Sequence, residues 1–222
     1  MNLYDVHTHT PCTTDDEEEY CRCILNVYPL GFEMAKEDQA LTCLFSCGVH
    51  PWYAENAEPQ IKFLKEIASD LKIVAIGEVG YDKLKGADLK IQKEVFETQV
   101  ELSESVKKPL VVHCVKAWGE LLESKKNMQP TQPWIVHGYR GKPRLTEQLL
   151  DSGFYFSIGT KFNTESLNLI PCDRMFCETD DKMSKIADVY KAVSAERDMK
   201  TNDLMRDIEQ NVKNIFPQLV II

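Results

Sequence analysis

The sequence IVAIGEVGYD, from Ile73 to Asp82, gives the clearest indication of the fold. Its first four residues are all apolar, which is typical of a strand that is covered on both faces, as parallel strands are. A helical repeat follows in Leu89–Val106, where apolar and amide residues recur at spacings of three and four. A second apolar run, Pro109–Val112, comes next. A strand, a helix and a strand in this order predict a parallel sheet.

The same alternation extends along the whole chain. A second clear helical pattern covers Leu204–Phe216 and stops at Pro217. Eight strands alternating with helices predict an α/β fold, a (β/α)8 TIM barrel that forms one compact domain over residues 1–222. An open, doubly wound sheet is the alternative, although its glycine-rich loop is absent after the first strand. The predicted strands are Leu3–His9, Cys21–Tyr28, Thr42–Val49, Ile73–Gly77, Leu110–Cys114, Trp134–His137, Tyr155–Ile158 and Met175–Glu178.

Composition limits where the protein works and what it binds. The sequence has no apolar run long enough to span a bilayer and no secretory signal, so we expect no membrane contact. The eight cysteines form no CxxC pair and several lie in apolar runs, so all eight are predicted to be reduced, as in a cytoplasmic protein.

The net charge of −9 disfavours non-specific DNA binding through a broad basic face. The acidic run Asp15–Glu19 contributes to that charge and is predicted to be an exposed loop. A phosphate-bearing substrate is still compatible with this balance, because bound dications reverse the local sign of the charge.

All five histidines fall at or just beyond the carboxyl end of a predicted strand: His7, His9, His50, His113 and His137. Active sites of (β/α)8 barrels assemble at that rim. His7 and His9 are two residues apart on one strand, so both rings project from the same face and can chelate one metal ion.

Three acidic residues extend this set, and each has a structural alternative. Asp5 shares the face of His7 and orients a ligand or makes a strand-end hydrogen bond. Glu78 follows an apolar strand and bridges two cations or serves the turn. Asp180 binds a metal and takes a proton from its water, or it caps a helix. Together, four histidines and two carboxylates predict two divalent metal ions, with Zn, Mn, Mg, Ni and Fe as the candidates. The six are His7, His9, Glu78, His113, His137 and Asp180.

With these residues in place, the chain resembles the TatD family of metal-dependent hydrolases, within the amidohydrolase-like barrel superfamily. The resemblance runs in order along nearly the whole chain. Its motifs are DVHTH (Asp5–His9), GVHP (Gly48–Pro51), GEVGYD (Gly77–Asp82), PLVVH (Pro109–His113), HGYRG (His137–Gly141), ETD (Glu178–Asp180) and the closing Asn211–Phe216.

The resemblance implies a role for each residue. His7, His9 and Asp180 would hold one metal, His113 and His137 the other, and Glu78 would bridge them. His50 would contact the substrate phosphate or support the site from behind, and Glu178 would orient a ligand. The implied activity is deoxyribonuclease or phosphodiesterase hydrolysis by a metal-activated water, with Asp180 as the general base.

Two departures from the family pattern concern the substrate rather than the metals. Val115 stands where the family usually has Arg, and Asp181 stands where it has Pro. Lys116 and Arg140 follow strand ends and could supply the missing positive charge, with Lys142 and Lys161 as further candidates. The alternative for all four is an ordinary solvated side chain near the start of a helix.

Other classes of function remain open. A PHP-type phosphoesterase also opens with HxH but needs more histidines than this chain has. An amidohydrolase often bridges its metals with a carboxylated lysine, and Lys72 lies at the wrong end of its strand for that role. A non-catalytic metal-binding barrel is the third alternative. We expect a phosphodiester or nucleic-acid substrate and no obligate protein partner.

Overall fold

The computed structural model describes residues 2–11, 20–38, 41, 43–181 and 184–221. From the second strand onward, strands and helices alternate along the chain, as the sequence predicts, and two helices follow the last strand. The described residues include no helix between the first two strands. The strands are β1 Leu3–Thr8, β2 Cys21–Val27, β3 Leu44–Cys47, β4 Ile73–Asp82, β5 Leu110–Val115, β6 Trp134–Val136, β7 Tyr155–Ile158 and β8 Met175–Cys177. The α-helices are α1 Phe32–Glu37, α2 Glu58–Ile67, α3 Leu89–Val106, α4 Trp118–Met128, α5 Pro143–Asp151, α6 Thr164–Leu169, α7 Ile186–Glu196 and α8 Thr201–Ile215.

The strands follow one another in the sheet in chain order, from β1 to β8. In the described residues β1 pairs with β2, β3 with β4, β4 with β5, β5 with β6 and β7 with β8, and all five pairings are parallel. Parallel strands connected through helices, with chain order equal to sheet order, have the topology of the predicted (β/α)8 barrel. An open, doubly wound sheet would instead reverse its strand order partway.

The chain divides into two compact units. Unit 1 comprises Met1–Leu25, Thr42–Leu44 and His137–Ile222. In it β7 pairs with β8, β1 pairs with the first residues of β2, and a parallel bridge joins Thr8 to Asp180. Its core includes the buried rings of Phe176 and Phe216, whose centroids are 5.7 Å apart.

Unit 2 comprises Asn26–Leu41 and Phe45–Val136. In it β3, β4, β5 and β6 pair in sequence. Helix α3 packs on β4, and the buried rings of Phe96 and Trp134 have centroids 5.2 Å apart. This packing places the carboxyl ends of β4 and β5 next to each other.

Both helices with a clear sequence pattern are present. Helix α3 begins after Asp88, whose carboxylate accepts a hydrogen bond from the Lys90 amide at 2.8 Å, and it ends at Val106, followed by Lys107 in the left-handed conformation. Helix α8 ends at Ile215, two residues before Pro217. Capping and proline therefore set the helix boundaries that the sequence indicates.

Strand β4 is longer than predicted and continues to Asp82 instead of ending at Gly77. Gly80 is opposite His113 in the pairing with β5 and has a φ of 140°. A Cβ atom at Gly80 would lie 2.0 Å from the carbonyl oxygen of His113. The glycine allows the strand to continue, so Glu78 lies inside β4 rather than in a loop after it.

Several expectations concern features outside the sheet. None of the helices in the described part of the chain is long and apolar enough to cross a membrane. Cys21 is disulfide-bonded, so the prediction that all eight cysteines are reduced is wrong. Free thiols are present at Cys47, Cys114, Cys172 and Cys177. The acidic run Asp15–Glu19 lies outside the described residues.

Candidate metal centre

Four predicted ligands come together in unit 1. His7 lies in β1 and is fully buried, His9 follows that strand, and His137 directly follows β6. The Nε2 atoms of His7 and His9 lie 3.7 Å and 3.8 Å from Oδ1 of Asp180. The ring centroids of His7 and His137 are 4.4 Å apart. One donor atom each from His7, His137 and Asp180 lies within 4.8 Å of the other two.

The backbone holds Asp180 against β1. Its amide donates to the carbonyl oxygen of His7 at 3.0 Å, and its own carbonyl oxygen accepts from the amide of His9 at 3.0 Å. Asp180 has a φ of 60°, a left-handed conformation that acidic residues adopt more readily than most side chains. This pairing fixes the carboxylate beside both histidines of the opening motif.

Asp5 and Glu178 support this group from within the core, and both are fully buried. Asp5 accepts hydrogen bonds from the amide of Thr179 at 3.1 Å and from its hydroxyl at 2.6 Å. Burial raises the pKa of Asp5 to about 7, although the bonds from Thr179 oppose that rise. Oε1 of Glu178 accepts from the amide of Gly138 at 2.5 Å and lies 3.6 Å from Nδ1 of His137. Both acids therefore contact the segments that carry the candidate ligands.

Three predicted site residues come together in unit 2. Nδ1 of His113 lies 2.8 Å from Oε1 of Glu78, and Nε2 of His50 lies 3.2 Å from the same oxygen. Nδ1 of His50 accepts a hydrogen bond from the amide of Trp52 at 3.1 Å. In its neutral form the His50 ring therefore carries its proton on Nε2, which faces Glu78. Donor atoms of His50, Glu78 and His113 lie within 4.8 Å of one another.

Asp82 also belongs to this group, and sequence reasoning gave it no role. Its Oδ2 atom accepts a hydrogen bond from Nε1 of Trp52 at 2.7 Å and lies 3.4 Å from Nε2 of His113. Burial opposes the ionisation of Asp82, but hydrogen bonds from Trp52, the Leu84 amide and His113 outweigh it and lower the pKa of the carboxyl. The sequence carried a signal, because Asp82 closes the GEVGYD motif.

Two glutamines of α3 hold the backbone of unit 2 at Val49 and at Asp82, next to or within the group of His50, Glu78, His113 and Asp82. The Gln99 amide accepts from the Val49 amide at 2.7 Å and donates to the Val49 carbonyl at 3.1 Å, directly before His50. Gln92 makes the same pair of bonds with Asp82, at 2.8 Å and 2.9 Å. Both glutamines are buried.

The two predicted substrate-binding cations are exposed. Lys116 follows β5 and has a φ of 54°, and Arg140 lies three residues after His137. Nε of Arg140 donates to the carbonyl oxygen of Gly138 at 3.4 Å. Neither residue is part of the two groups of candidate ligands.

Both groups suit a divalent cation. Imidazole nitrogen and carboxylate oxygen are the donors that zinc, manganese, nickel and iron accept, and the donor atoms in each group converge from separate strands. Such a donor set, at the carboxyl ends of parallel strands, defines a candidate metal-dependent active site.

Comparison with solved structures shows the class of fold. A TatD homologue from Escherichia coli, YjjV, superposes with a TM-score of 0.81 over 96% of this chain and 97% of that chain, at 19% sequence identity. A TatD-family hydrolase from Entamoeba histolytica superposes with a TM-score of 0.78 over 96% and 97% of the two chains, at 17% identity. These likenesses confirm the (β/α)8 barrel.

Comparison of sequences shows the family. Residues 29–217 match the family model of the TatD-related DNases, and the chain belongs to that family. An uncharacterized metal-dependent hydrolase from Buchnera aphidicola is 31% identical over 62% of this chain. A 3′-5′ RNA nuclease from Homo sapiens, TATDN2, is 35% identical over 67% of it and 21% of its own length. The deoxyribonuclease Tat-D of Schizosaccharomyces pombe is 30% identical over 60% of this chain and 49% of its own. The chain spans about 55% of the length of the first bacterial relatives that it matches.

Proposed function

We propose that the protein is a metal-dependent phosphodiesterase that cleaves nucleic acid. The observation that carries the proposal is the pair of imidazole and carboxylate groups, one in each unit, in a chain that belongs to the TatD-related DNases. Relatives named as a deoxyribonuclease and as an RNA nuclease support a nucleic-acid substrate and leave the choice between DNA and RNA to experiment.

The proposed ligands are the six residues named from the sequence. In unit 1 these are His7, His9, His137 and Asp180, and in unit 2 they are Glu78 and His113. The resemblance implies that each of these residues would serve as a metal ligand. Within unit 1 the His137 ring lies 4.4 Å from that of His7, which supports both as ligands. Two bound cations lower the pKa of a water toward neutrality and stabilise the charge that builds on the scissile group.

Asp180 is the proposed general base. Its carboxylate is partly exposed and lies beside His7 and His9, so it can accept a proton from a water held there. Glu178 and Asp5 hold the surrounding segments in place. His50 lies beside Glu78 and is proposed to contact the substrate phosphate, and Lys116 and Arg140 are proposed to attract the substrate.

The first experiment measures metal content and hydrolysis of the purified protein. We expect about two divalent ions per chain, and cleavage of bis(p-nitrophenyl) phosphate and of DNA or RNA oligonucleotides. Asp180→Asn should lower kcat by a factor of about 10² or more, because general-base catalysis contributes roughly 10²–10⁴. The neighbouring acid supplies a matched control, and Asp181→Asn should keep turnover close to that of the wild type.

Other outcomes separate the alternatives. Turnover of Asp180→Asn close to that of the wild type, with metal retained, would show that another group is the base. Hydrolysis of amides or lactones but not of phosphodiesters would favour the amidohydrolase alternative. Metal binding with no hydrolysis of either class would favour a non-catalytic barrel.

We also propose that the protein works in the cytoplasm and folds as one domain. The free thiols of Cys47, Cys114, Cys172 and Cys177 support a reducing compartment, whereas the disulfide of Cys21 opposes it. Fractionation of cells that express the tagged protein tests the location.

A further inference from the structure

A lysine that the sequence did not single out lies close to the unit 2 group. The Lys85 ammonium is 3.4 Å from the centroid of the Trp52 ring, which places it over the indole face as a cation–π pair. Lys85 belongs to the exposed loop of residues 83–88 that follows β4, and Trp52 is 37% exposed. The charge is therefore accessible and held in a defined position.

The loop that carries Lys85 is fixed at both ends. Oδ1 of Asp82 accepts hydrogen bonds from the amides of Leu84 at 2.7 Å and Lys85 at 3.1 Å. Near the other end, the Gln92 side chain donates to the carbonyl oxygen of Ala87 at 2.7 Å. The loop is therefore held by Asp82 at the end of β4 and by Gln92 of α3. Because its backbone is already fixed, Lys85 loses little conformational freedom when it binds an anion.

Gly86 brings this loop onto the segment that contains Trp52. It has a φ of 95°, and a Cβ atom there would lie 2.6 Å from the carbonyl oxygen of Pro51 and 2.8 Å from Cα of Trp52. A glycine is required at this close approach. The loop and the tryptophan thus form one surface, which we call the Lys85–Trp52 ledge.

Trp52 connects the ledge to the candidate metal ligands. Its Nε1 atom donates to Asp82, and its ring centroid is 4.6 Å from that of His50 and 6.1 Å from that of His113. Lys83, two residues before Lys85, is paired with Glu120 at 2.6 Å. In the described part of the chain Lys85 has no carboxylate at ion-pair distance, so its charge is available to a ligand.

We propose that Lys85 binds a backbone phosphate that flanks the scissile phosphate, and that Trp52 is the positioning residue for its ammonium. The inference rests on the proposed function. It explains how a chain with a net charge of −9 and Val115 in place of the family arginine attracts a polyanion at this site. An oligonucleotide has this flanking phosphate and an aryl phosphodiester does not. Loss of the Lys85 contact should therefore slow cleavage of the oligonucleotide and not of the aryl ester.

The experiment compares metal-loaded Lys85→Met with the wild type on an oligonucleotide and on bis(p-nitrophenyl) phosphate. We expect the ratio of the two kcat/KM values, oligonucleotide over aryl ester, to fall about tenfold. The slope of log(kcat/KM) against log[salt] for the oligonucleotide should become shallower by about 0.7 to 1, as for loss of one phosphate contact. Lys85→Arg should restore most of the ratio. Lys65→Met removes an exposed lysine of α2 and should leave the ratio and the slope unchanged.

A double-mutant cycle tests the role of Trp52. If Trp52 acts through Lys85, the double variant Lys85→Met with Trp52→Leu should lower the ratio no further than the more severe single variant. Additive losses would show that Trp52 does not act through Lys85.

Binding measured by isothermal titration calorimetry separates failure of this inference from failure of the proposed function. If the wild type binds the oligonucleotide without cleaving it, the proposed function is wrong, and a tenfold weaker Kd for Lys85→Met than for Lys65→Met still supports the ledge. If the wild type cleaves the oligonucleotide and Lys85→Met leaves both the ratio and the Kd unchanged, the ledge is overturned while the proposed function stands. A wild type that neither binds nor cleaves the oligonucleotide overturns both.

Discussion

At the scale of single residues, Gly80 is a position with little tolerance for a side chain. Its φ of 140° disfavours any other residue, and a Cβ atom there would lie only 2.0 Å from the His113 carbonyl oxygen. We expect Gly80→Ala to lower the free energy of unfolding by about 2–4 kcal/mol, because the backbone of β4 or β5 must shift to relieve the clash. Urea denaturation and the melting temperature measure this loss.

The chain contains a matched glycine for comparison. A Cβ atom at Gly119, in the first turn of α4, meets no heavy atom within 4 Å. Gly119→Ala should be neutral or should stabilise the protein by up to about 1 kcal/mol. A Gly80→Ala protein that melts at or above the wild-type temperature would contradict the steric argument.

Residue types revealed the candidate ligands but not their neighbours. The histidines could be predicted as a set because each lies at or just beyond the carboxyl end of a predicted strand. For Asp82 the GEVGYD motif was a signal, but its contacts with Trp52 and His113 could not be predicted, because an acid that only closes a turn has the same sequence context. The contact depends on the Gly80 backbone, which carries β4 as far as Asp82.

At the scale of elements, α3 shows why a buried helix face can be polar. The repeat of Gln92, Phe96 and Gln99 predicts a helix correctly, and these residues form its buried side together with Val100 and Ser103. The glutamines are buried because their amides satisfy backbone groups of Val49, beyond the end of β3, and of Asp82, at the end of β4. The helical periodicity predicts which face of α3 is buried. It does not predict that the glutamines bond to Val49 and Asp82, because those partners lie in other segments of the chain.

This role predicts a large cost for an apolar substitution. Gln99→Leu leaves the amide and the carbonyl of Val49 buried and without their bonds, so we expect a loss of about 2–4 kcal/mol in unfolding free energy. Equilibrium urea unfolding measures it. Gln148→Leu, on the exposed side of α5, should change stability by no more than about 0.5 kcal/mol. If Gln99→Leu and Gln148→Leu change the unfolding free energy equally, the hydrogen bonds of Gln99 do not stabilise the protein.

At the scale of the whole molecule, the eight predicted strands are all present, and the errors are at their ends. Sheet order could not be predicted from the residues, because hydrogen-bond partners of parallel strands leave no pattern in the sequence. The resemblance implied the order of a barrel, and the order of the strands in the sheet, from β1 to β8, agrees with it. The disulfide of Cys21 was missed because its setting in a strand-like run resembles that of the cysteines with free thiols.

Metal binding should stabilise the whole chain. A cation that binds only the folded state at about one hundred times its Kd adds roughly 2.7 kcal/mol, which raises the melting temperature by about 5–10 °C for a chain of this size. Differential scanning calorimetry with added Zn²⁺ or Mn²⁺, and then with excess chelator, measures the shift. The shift should be much smaller in the double variant His7→Ala with His113→Ala.

The same scan tests the single-domain prediction. One cooperative transition that moves as a whole with metal supports it, whereas two transitions of which only one responds would contradict it. An unchanged melting temperature with every divalent cation would contradict the proposed metal site itself.

The position of Trp52 gives the molecule a built-in optical reporter. Its indole is in contact with a lysine ammonium on one side and with the His50 ring on another, and both groups quench indole emission when they are charged and close. Trp134, in contrast, is fully buried in unit 2. In a Trp118→Phe variant, which removes the other partly exposed tryptophan, a change in the charge state of the histidines or in the place of the lysine would therefore appear in the red-shifted, solvent-exposed part of the emission spectrum, without any attached dye.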